Sequence, residues 1–129
     1  MTSNFVTNEE IVQEARRRLS QGPWDYLVGA SESETTMRRN RLAFDTVAFR
    51  PRVFVDVSSV DTSTSVLGIP MRIPVILAPI GSLQVFHPEG GLGVTSAASR
   101  FETLHVVSSV TQPSLEDIAG ATDYPKVFQ

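Results

Sequence analysis

The sequence predicts an α/β fold built on a parallel sheet, and two observations carry that reading. In the second half, the wholly apolar run 75–78 and the mainly apolar strand candidates 104–107 and 126–128 alternate with helical segments at 88–100 and 114–119. Runs that are apolar throughout belong to strands covered on both faces, and strands separated by helices pair in parallel. The first half has a different rhythm: apolar residues recur at helical spacing, then the period shortens to that of extended chain.

Segment 1–49 reads as helices. In "TNEEIVQEARRRLSQG", Thr7 is the N-cap, and Glu10 three residues on completes a capping box. Ile11, Val12, Ala15 and Leu19 recur on one face. Arg16, Arg17 and Arg18 fall where the helix dipole favours cations, and such a run is ordinarily a solvated helix end. Gly22 and Pro23 close this helix and open a short second one, with Pro23 in its first turn. "SESETTMRRNRLAF" gives a third, with Ser31 and Glu34 as a second capping box and Met37, Leu42 and Phe44 facing inward.

Segment 50–74 is expected to be extended chain followed by a hairpin. "VAFRPRVFVDVSSVD" is rich in Val and Phe and alternates. Residues 65–67 lead into the hairpin, 68–70 turn and 71–73 lead out; Pro74 then separates it from the first buried strand.

Segment 75–129 carries the strands. The first, 75–78, stops at Pro79 and Gly81 in "VILAPIGSLQVFHPEGG", and a helix restarts at Pro88. "GGLG" at 90–93 lacks the strand contact and full glycine pattern of a phosphate loop, and reads as close helix packing. The second strand is 104–107. A short helix follows, with Ser114 as N-cap and Asp117 at its third position. Three strands do not close a barrel, and a complete eight-stranded α/β barrel takes about 250 residues. The 129 residues are therefore expected to be one incomplete domain, the front portion of a larger fold.

Composition narrows the function. Hydrophobic residues make up 41% and charged residues 19%, which fits a packed domain rather than disorder. A net charge of −3 gives no broad basic field for nucleic acid or anionic lipid. With no cysteine, thiolate metal sites, disulfides and thiol nucleophiles are excluded, and a reducing, cytoplasmic setting is expected. No apolar run suits a signal peptide or a membrane span. No pair of His, Asp or Glu residues has metal-ligand spacing. Of the two histidines, His87 in "HPEG" reads as positional, and His105 in a strand as a core or surface residue.

Several stretches together resemble the FMN-dependent α-hydroxy-acid oxidases and dehydrogenases. They are "DYLVGA" (25–30), "RPRVFVDVS" (50–58), "TSTSVLG" (62–68), "PVILAPIG" (74–81), "HPEG" (87–90), "AAS" (97–99), "VVSS" (106–109) and "VFQ" (127–129), in family order and spacing. The resemblance implies the N-terminal part of a (β/α)8 TIM barrel with leading helices, a small β-hairpin and the first three barrel strands. Other FMN barrels, such as type-2 isopentenyl diphosphate isomerase, are similar in architecture, but "DYLVGA" with "RPRVFVDVS" favours the hydroxy-acid group.

By the same resemblance, Pro79, Ile80 and Gly81 give backbone contacts to the flavin, and Ser108 and Gln129 hydrogen-bond its ring. Tyr26 helps hold the substrate carboxylate. Read without the family, 79–81 is a strand-ending turn, Ser108 a turn or cap, Gln129 a fraying terminus and Tyr26 a helix aromatic beside Trp24. Where the family often has Thr-Ala after the proline, this chain has Ile80-Gly81, so a hydroxyl contact at 80 is lost. Val110 stands where many members carry a pocket-lining aromatic, and leaves more room.

The family's catalytic base comes later in the barrel, so no catalytic residue is expected within this chain. The implied activity is oxidation of a small 2-hydroxy acid to a 2-oxo acid, with FMN as cofactor and homo-oligomers at full length. The isolated chain is expected to be inactive and to bind FMN weakly or not at all. The alternative is a non-catalytic truncated chain, or half of a split barrel that needs a complementary C-terminal half.

Overall fold

The computed structural model describes residues 5–129. The chain divides into two compact units, Met1–Asp56 and Val57–Gln129, inside the expected extended segment.

The first unit holds α1 (Asn8–Arg18), α2 (Gln21–Val28) and α3 (Thr35–Asp45). α1 starts with the capping box read from the sequence: Glu10 N–H donates to Thr7 Oγ1 at 3.3 Å, and Thr7 N–H to Glu10 Oε2 at 3.4 Å. The Arg run is partnered rather than merely solvated. Arg17 and Arg18 both pair with Glu14, and the Arg16 guanidinium lies 5.2 Å from the centroid of the Trp24 ring. Arg18 first, then Arg17, holds the Glu14 carboxyl below the usual carboxylate range.

Three expectations are corrected in this unit. The break between α1 and α2 lies at Leu19 and Ser20, because α2 begins at Gln21. Pro23 is tolerated there because the first N–H groups of a helix need no intrahelical partner. Ser31 does not cap α3: the helix starts at Thr35 with Glu34 as N-cap at φ 58°, and the Glu34 carboxylate reaches back to the Ala30 N–H at 3.2 Å. Finally, Ile11, Val12, Met37, Leu42 and Phe44 are exposed rather than inward. Helices this short leave part of each apolar stripe without cover from the unit itself.

The second unit opens with β1 (Thr64–Val66) and β2 (Ile69–Met71), an antiparallel hairpin with Val66 opposite Ile69. The turn is therefore Leu67-Gly68, not 68–70. Both residues have positive φ, 53° and 76°, as a two-residue type I′ turn requires. Pro70 pairs with Ser65 inside the ribbon, where a two-stranded edge tolerates it.

β3 (Val106–Val107) and β4 (Val127–Phe128) pair in parallel, and Leu77 joins the other side of the same strand through a parallel bridge to His105. The bonds are Leu77 N–H to Leu104 O at 2.9 Å, Val106 N–H to Leu77 O at 3.0 Å and Val127 N–H to His105 O at 3.1 Å. The order is thus first, second, third strand. The middle one is buried, with Leu104 and His105 each 1% exposed. The expected burial of 75–78 is corrected: Val75 is 49% and Ile76 39% exposed, because this run forms the outer line of the unit and meets only one neighbour. Among the described residues there is no closed barrel.

α4 (Gly91–Arg100) and α5 (Leu115–Gly120) complete the unit. α4 begins three residues after Pro88, since Gly90 turns the chain at φ 50°. Ser114 caps α5 by accepting the Asp117 N–H at 3.1 Å. The glycines of "GGLG" are packing residues. A Cβ at Gly91 would lie 2.5 Å from Ile118 Cδ1, and one at Gly90 would lie 2.2 Å from the Gln112 carbonyl oxygen. Ala98, Leu104, Val107 and Ile118 form the core, and Met71 is buried on the hairpin.

The hairpin is tied to the N-terminal ends of the strands. Arg72 N–H donates to Glu102 O at 3.0 Å, just before the second strand. Tyr124 Oη–H donates to Pro70 O at 2.6 Å, just before the third.

Candidate functional site

Parallel strands release all their C-terminal loops at one edge of the sheet, where α/β proteins keep their chemistry. Here that edge carries Pro79, Ile80 and Gly81 after the first strand, Ser108 after the second and Gln129 after the third.

Gly81 meets the second loop at close range. A Cβ on Gly81 would stand 2.8 Å from Val110 Cγ2 and 3.8 Å from Ser108 Oγ. The approach is therefore one that only a residue without a side chain makes without displacing Val110. Ser82 N–H donates to Val110 O at 3.1 Å, holding the two loops together. The Ile80 and Gly81 N–H groups enter none of the backbone hydrogen bonds of this region among the described residues.

Ser108 is 5% exposed. Its Oγ accepts the Val110 N–H at 3.4 Å, which leaves the hydroxyl hydrogen to donate elsewhere. Gln129 N–H donates to Val107 O at 2.9 Å, so the third strand continues in register one residue beyond Val107–Phe128 and sets Gln129 beside Ser108. Gly81, Ser108, Val110 and Gln129 thus lie along one rim. Tyr26 belongs to α2 of the other unit and is 63% exposed.

The histidines lie apart from this chemistry. His105 is buried, its Nδ1 2.9 Å from Thr95 Oγ1 between sheet and α4, and its Nε2 has no hydrogen-bond partner. Burial, with Lys126 second, lowers its pKa from the ordinary 6.5. His87 is exposed, and its Nδ1 accepts the Glu89 N–H at 3.3 Å.

The FMN-dependent dehydrogenase profile matches residues 15–129. The chain belongs to the FMN-dependent dehydrogenase family. It is 37% identical to a peroxisomal (S)-2-hydroxy-acid oxidase of Oryza sativa subsp. indica, over all of this chain and 36% of the relative. It is 38% identical to an L-lactate oxidase of Nostoc sp., over 85% of this chain and 30% of the relative. Among solved structures, a soluble mutant of the membrane-associated (S)-mandelate dehydrogenase from Pseudomonas putida superposes with a TM-score of 0.89 at 32% identity, over 94% of this chain and 35% of that one. The chain spans about a third of the length of the relatives it matches.

The family is FMN-dependent, and the rim can be tested for fit to that cofactor. A flat ring needs a wall without projecting side chains, and Gly81 gives one: a Cβ there would intrude on Val110 and approach Ser108. A polar ring edge needs donors in a sheltered place, and the Ser108 hydroxyl is one. The residues present fit the group.

One residue of this region carries no signal in the periodicity of the sequence. Gln84 Oε1 accepts the Gln112 N–H at 3.2 Å, across 28 positions of chain. Gln84 lies in the short 3-10 helix Leu83–Val85, and a lone glutamine there matches no spacing rule, so only the folded chain reveals the pairing.

Proposed function

We propose that this chain supplies the flavin-facing wall, and part of the substrate site, of an enzyme that oxidises a small 2-hydroxy acid to a 2-oxo acid. The observation that carries the reading is the convergence of Gly81, Ser108 and Gln129 at the C-terminal edge of the parallel strands. FMN, when bound, supplies the two-electron acceptor.

The chain's own residues bind and orient. Pro79, Ile80 and Gly81 offer backbone to the ring, closest at the bare Gly81, and the Ile80 and Gly81 N–H groups suit polar ring atoms. Ser108 donates its hydroxyl. The Gln129 amide offers both donor and acceptor, which suits a mixed pyrimidine edge. The Tyr26 phenol donates to the substrate carboxylate. The general base comes from outside these residues, since His105 is buried against Thr95 and His87 engages its own loop. Exposed Val75, Ile76 and Phe128 on the sheet support association with a complementary C-terminal half or further copies. The cysteine-free sequence supports a cytoplasmic setting.

The test records visible spectra of the purified chain with FMN, alone and mixed with a C-terminal half taken from a relative. We expect a perturbed flavin band, bleached by a 2-hydroxy acid, only in the mixture, and a weakened band in Ser108→Ala. A mixture that assembles without binding flavin sinks the reading. Bleaching by the chain alone overturns the need for a second segment.

A further inference from the structure

The loop that follows the first strand and the loop that follows the second are laced by three hydrogen bonds. Ser82 N–H donates to Val110 O at 3.1 Å, Gly91 N–H to Gln112 O at 2.8 Å, and Gln112 N–H to Gln84 Oε1 at 3.2 Å. The first two join backbone to backbone and would survive most substitutions. The third depends on one side chain. Gln112 is therefore gripped on both sides, its carbonyl by the start of α4 and its N–H by Gln84. The carbonyl grip is close: a Cβ on Gly90 would lie 2.2 Å from Gln112 O, and that same Cβ position is 3.5 Å from Gln84 Cβ.

The span of chain between these anchors matters. Gln84 lies three residues after Gly81 in the first loop, and Gln112 four residues after Ser108 in the second. Without the Gln84 contact, the Ser82–Val110 bond is the one hydrogen bond between residues 79–83 and the second loop among the described residues, beside the Gly81–Val110 packing. One hydrogen bond lets a loop pivot; a second, displaced along the chain, fixes its angle.

We propose that Gln84 is a positioning residue that holds the 79–81 wall against the Ser108–Val110 rim. Its side-chain hydrogen bond goes to Gln112 rather than to a rim residue, so it acts through Gln112. Its consequence for flavin binding rests on the function proposed above, but the clamp is a property of the chain and is measurable without flavin.

The test uses solution NMR of the 129-residue chain, unsubstituted and as Gln84→Ala and Gln84→Glu. Glutamate keeps an acceptor oxygen at the same reach; alanine removes it. Two signals are read: hydrogen exchange of the Gln112 amide and the nuclear Overhauser contact between Gly81 Hα and a Val110 methyl. In Gln84→Ala the Gln112 amide is expected to exchange about five to ten times faster, the factor a hydrogen bond of ordinary strength provides. The Gly81–Val110 contact is expected to weaken or vanish. Gln84→Glu is expected to keep both. An unchanged contact in Gln84→Ala overturns the proposal. So does an unprotected Gln112 amide, or a missing Gly81–Val110 contact, in the unsubstituted chain. The α4 and α5 amides report folding; if Gln84→Ala unfolds them as well, the role is general stability and the positioning proposal is overturned. Adding FMN to the same samples addresses the flavin reading by itself. Shifts absent at Gly81 and Ser108 count against that reading, while loss of the loop contact in Gln84→Ala supports the clamp whether or not flavin binds.

Discussion

Gly91 of α4 packs closely against Ile118 of α5, and replacing it with alanine is a calibrated strain. The new Cβ would lie 2.5 Å from Ile118 Cδ1, 3.2 Å from Ile118 Cγ1 and 3.3 Å from Thr111 Cγ2. Ordinary carbon contacts lie at about 3.5–4.0 Å, so Cδ1 must retreat by about 1 Å. Ile118 is 0% exposed, so it cannot relieve the contact by moving into solvent. Overpacking of this kind costs about 1–3 kcal/mol, against a gain of up to about 1 kcal/mol from replacing glycine in a helix. We expect Gly91→Ala to destabilise by about 1–2 kcal/mol. Ile118→Val removes Cδ1 and costs about 0.5–1.5 kcal/mol alone. In the Ala background the same change also relieves the clash, so the double variant should be more stable than the sum of the singles by about 1 kcal/mol. Urea unfolding followed by circular dichroism measures all four proteins. Additivity within about 0.3–0.5 kcal/mol would refute the packing argument, as would a stabilising Gly91→Ala.

Other outcomes follow from the same structure. Thr7→Ala removes the acceptor for the Glu10 N–H and should cost about 1 kcal/mol of α1 stability, read as lost helicity on warming. Leu67→Asn should raise the unfolding midpoint by an amount equal to about 0.5–1 kcal/mol, because Leu67 sits at φ 53° with its side chain 79% exposed, while asparagine accepts that conformation and loses little packing. His105 is held neutral by burial, so its pKa is lowered in the folded state. The unfolded chain then takes up the proton first as pH falls, and the stability contributed is complete above the ordinary pKa of 6.5 and lost below it. Denaturant midpoints from pH 8 to pH 5, of order-of-magnitude slope up to about 1.4 kcal/mol per unit, should flatten over that window in His105→Gln; an unchanged slope would remove His105 as the source.

The order of elements was legible because periodicity and capping chemistry are local. The box at Thr7 and the cap at Ser114 needed only neighbours within one turn. The matching pattern at Ser31 misled because Glu34 found the Ala30 N–H instead and took a left-handed conformation at the helix start. The hairpin turn was shifted because Leu67 is not a residue that advertises positive φ, while Pro70 does advertise a turn and here pairs in a ribbon. At the candidate site, strand ends and a bare glycine could be read in advance. The meeting of Gly81 with Val110, and of Gln84 with Gln112, could not, because each joins residues 28 or 29 positions apart.

The hairpin and the rim occupy opposite ends of the same three strands. Arg72 and Pro70 are bonded to residues that precede the strands, while 79–81, Ser108 and Gln129 follow them. The two ends can therefore be altered independently. Changes at exposed Ile80 or Val110 leave the hairpin's attachments untouched, so a library that randomises these two positions should retain folded members at high frequency. Randomising Tyr124, whose hydroxyl makes the tie to the Pro70 carbonyl, should instead deplete folded members. The scaffold thereby gives the rim room to vary without putting foldability at risk.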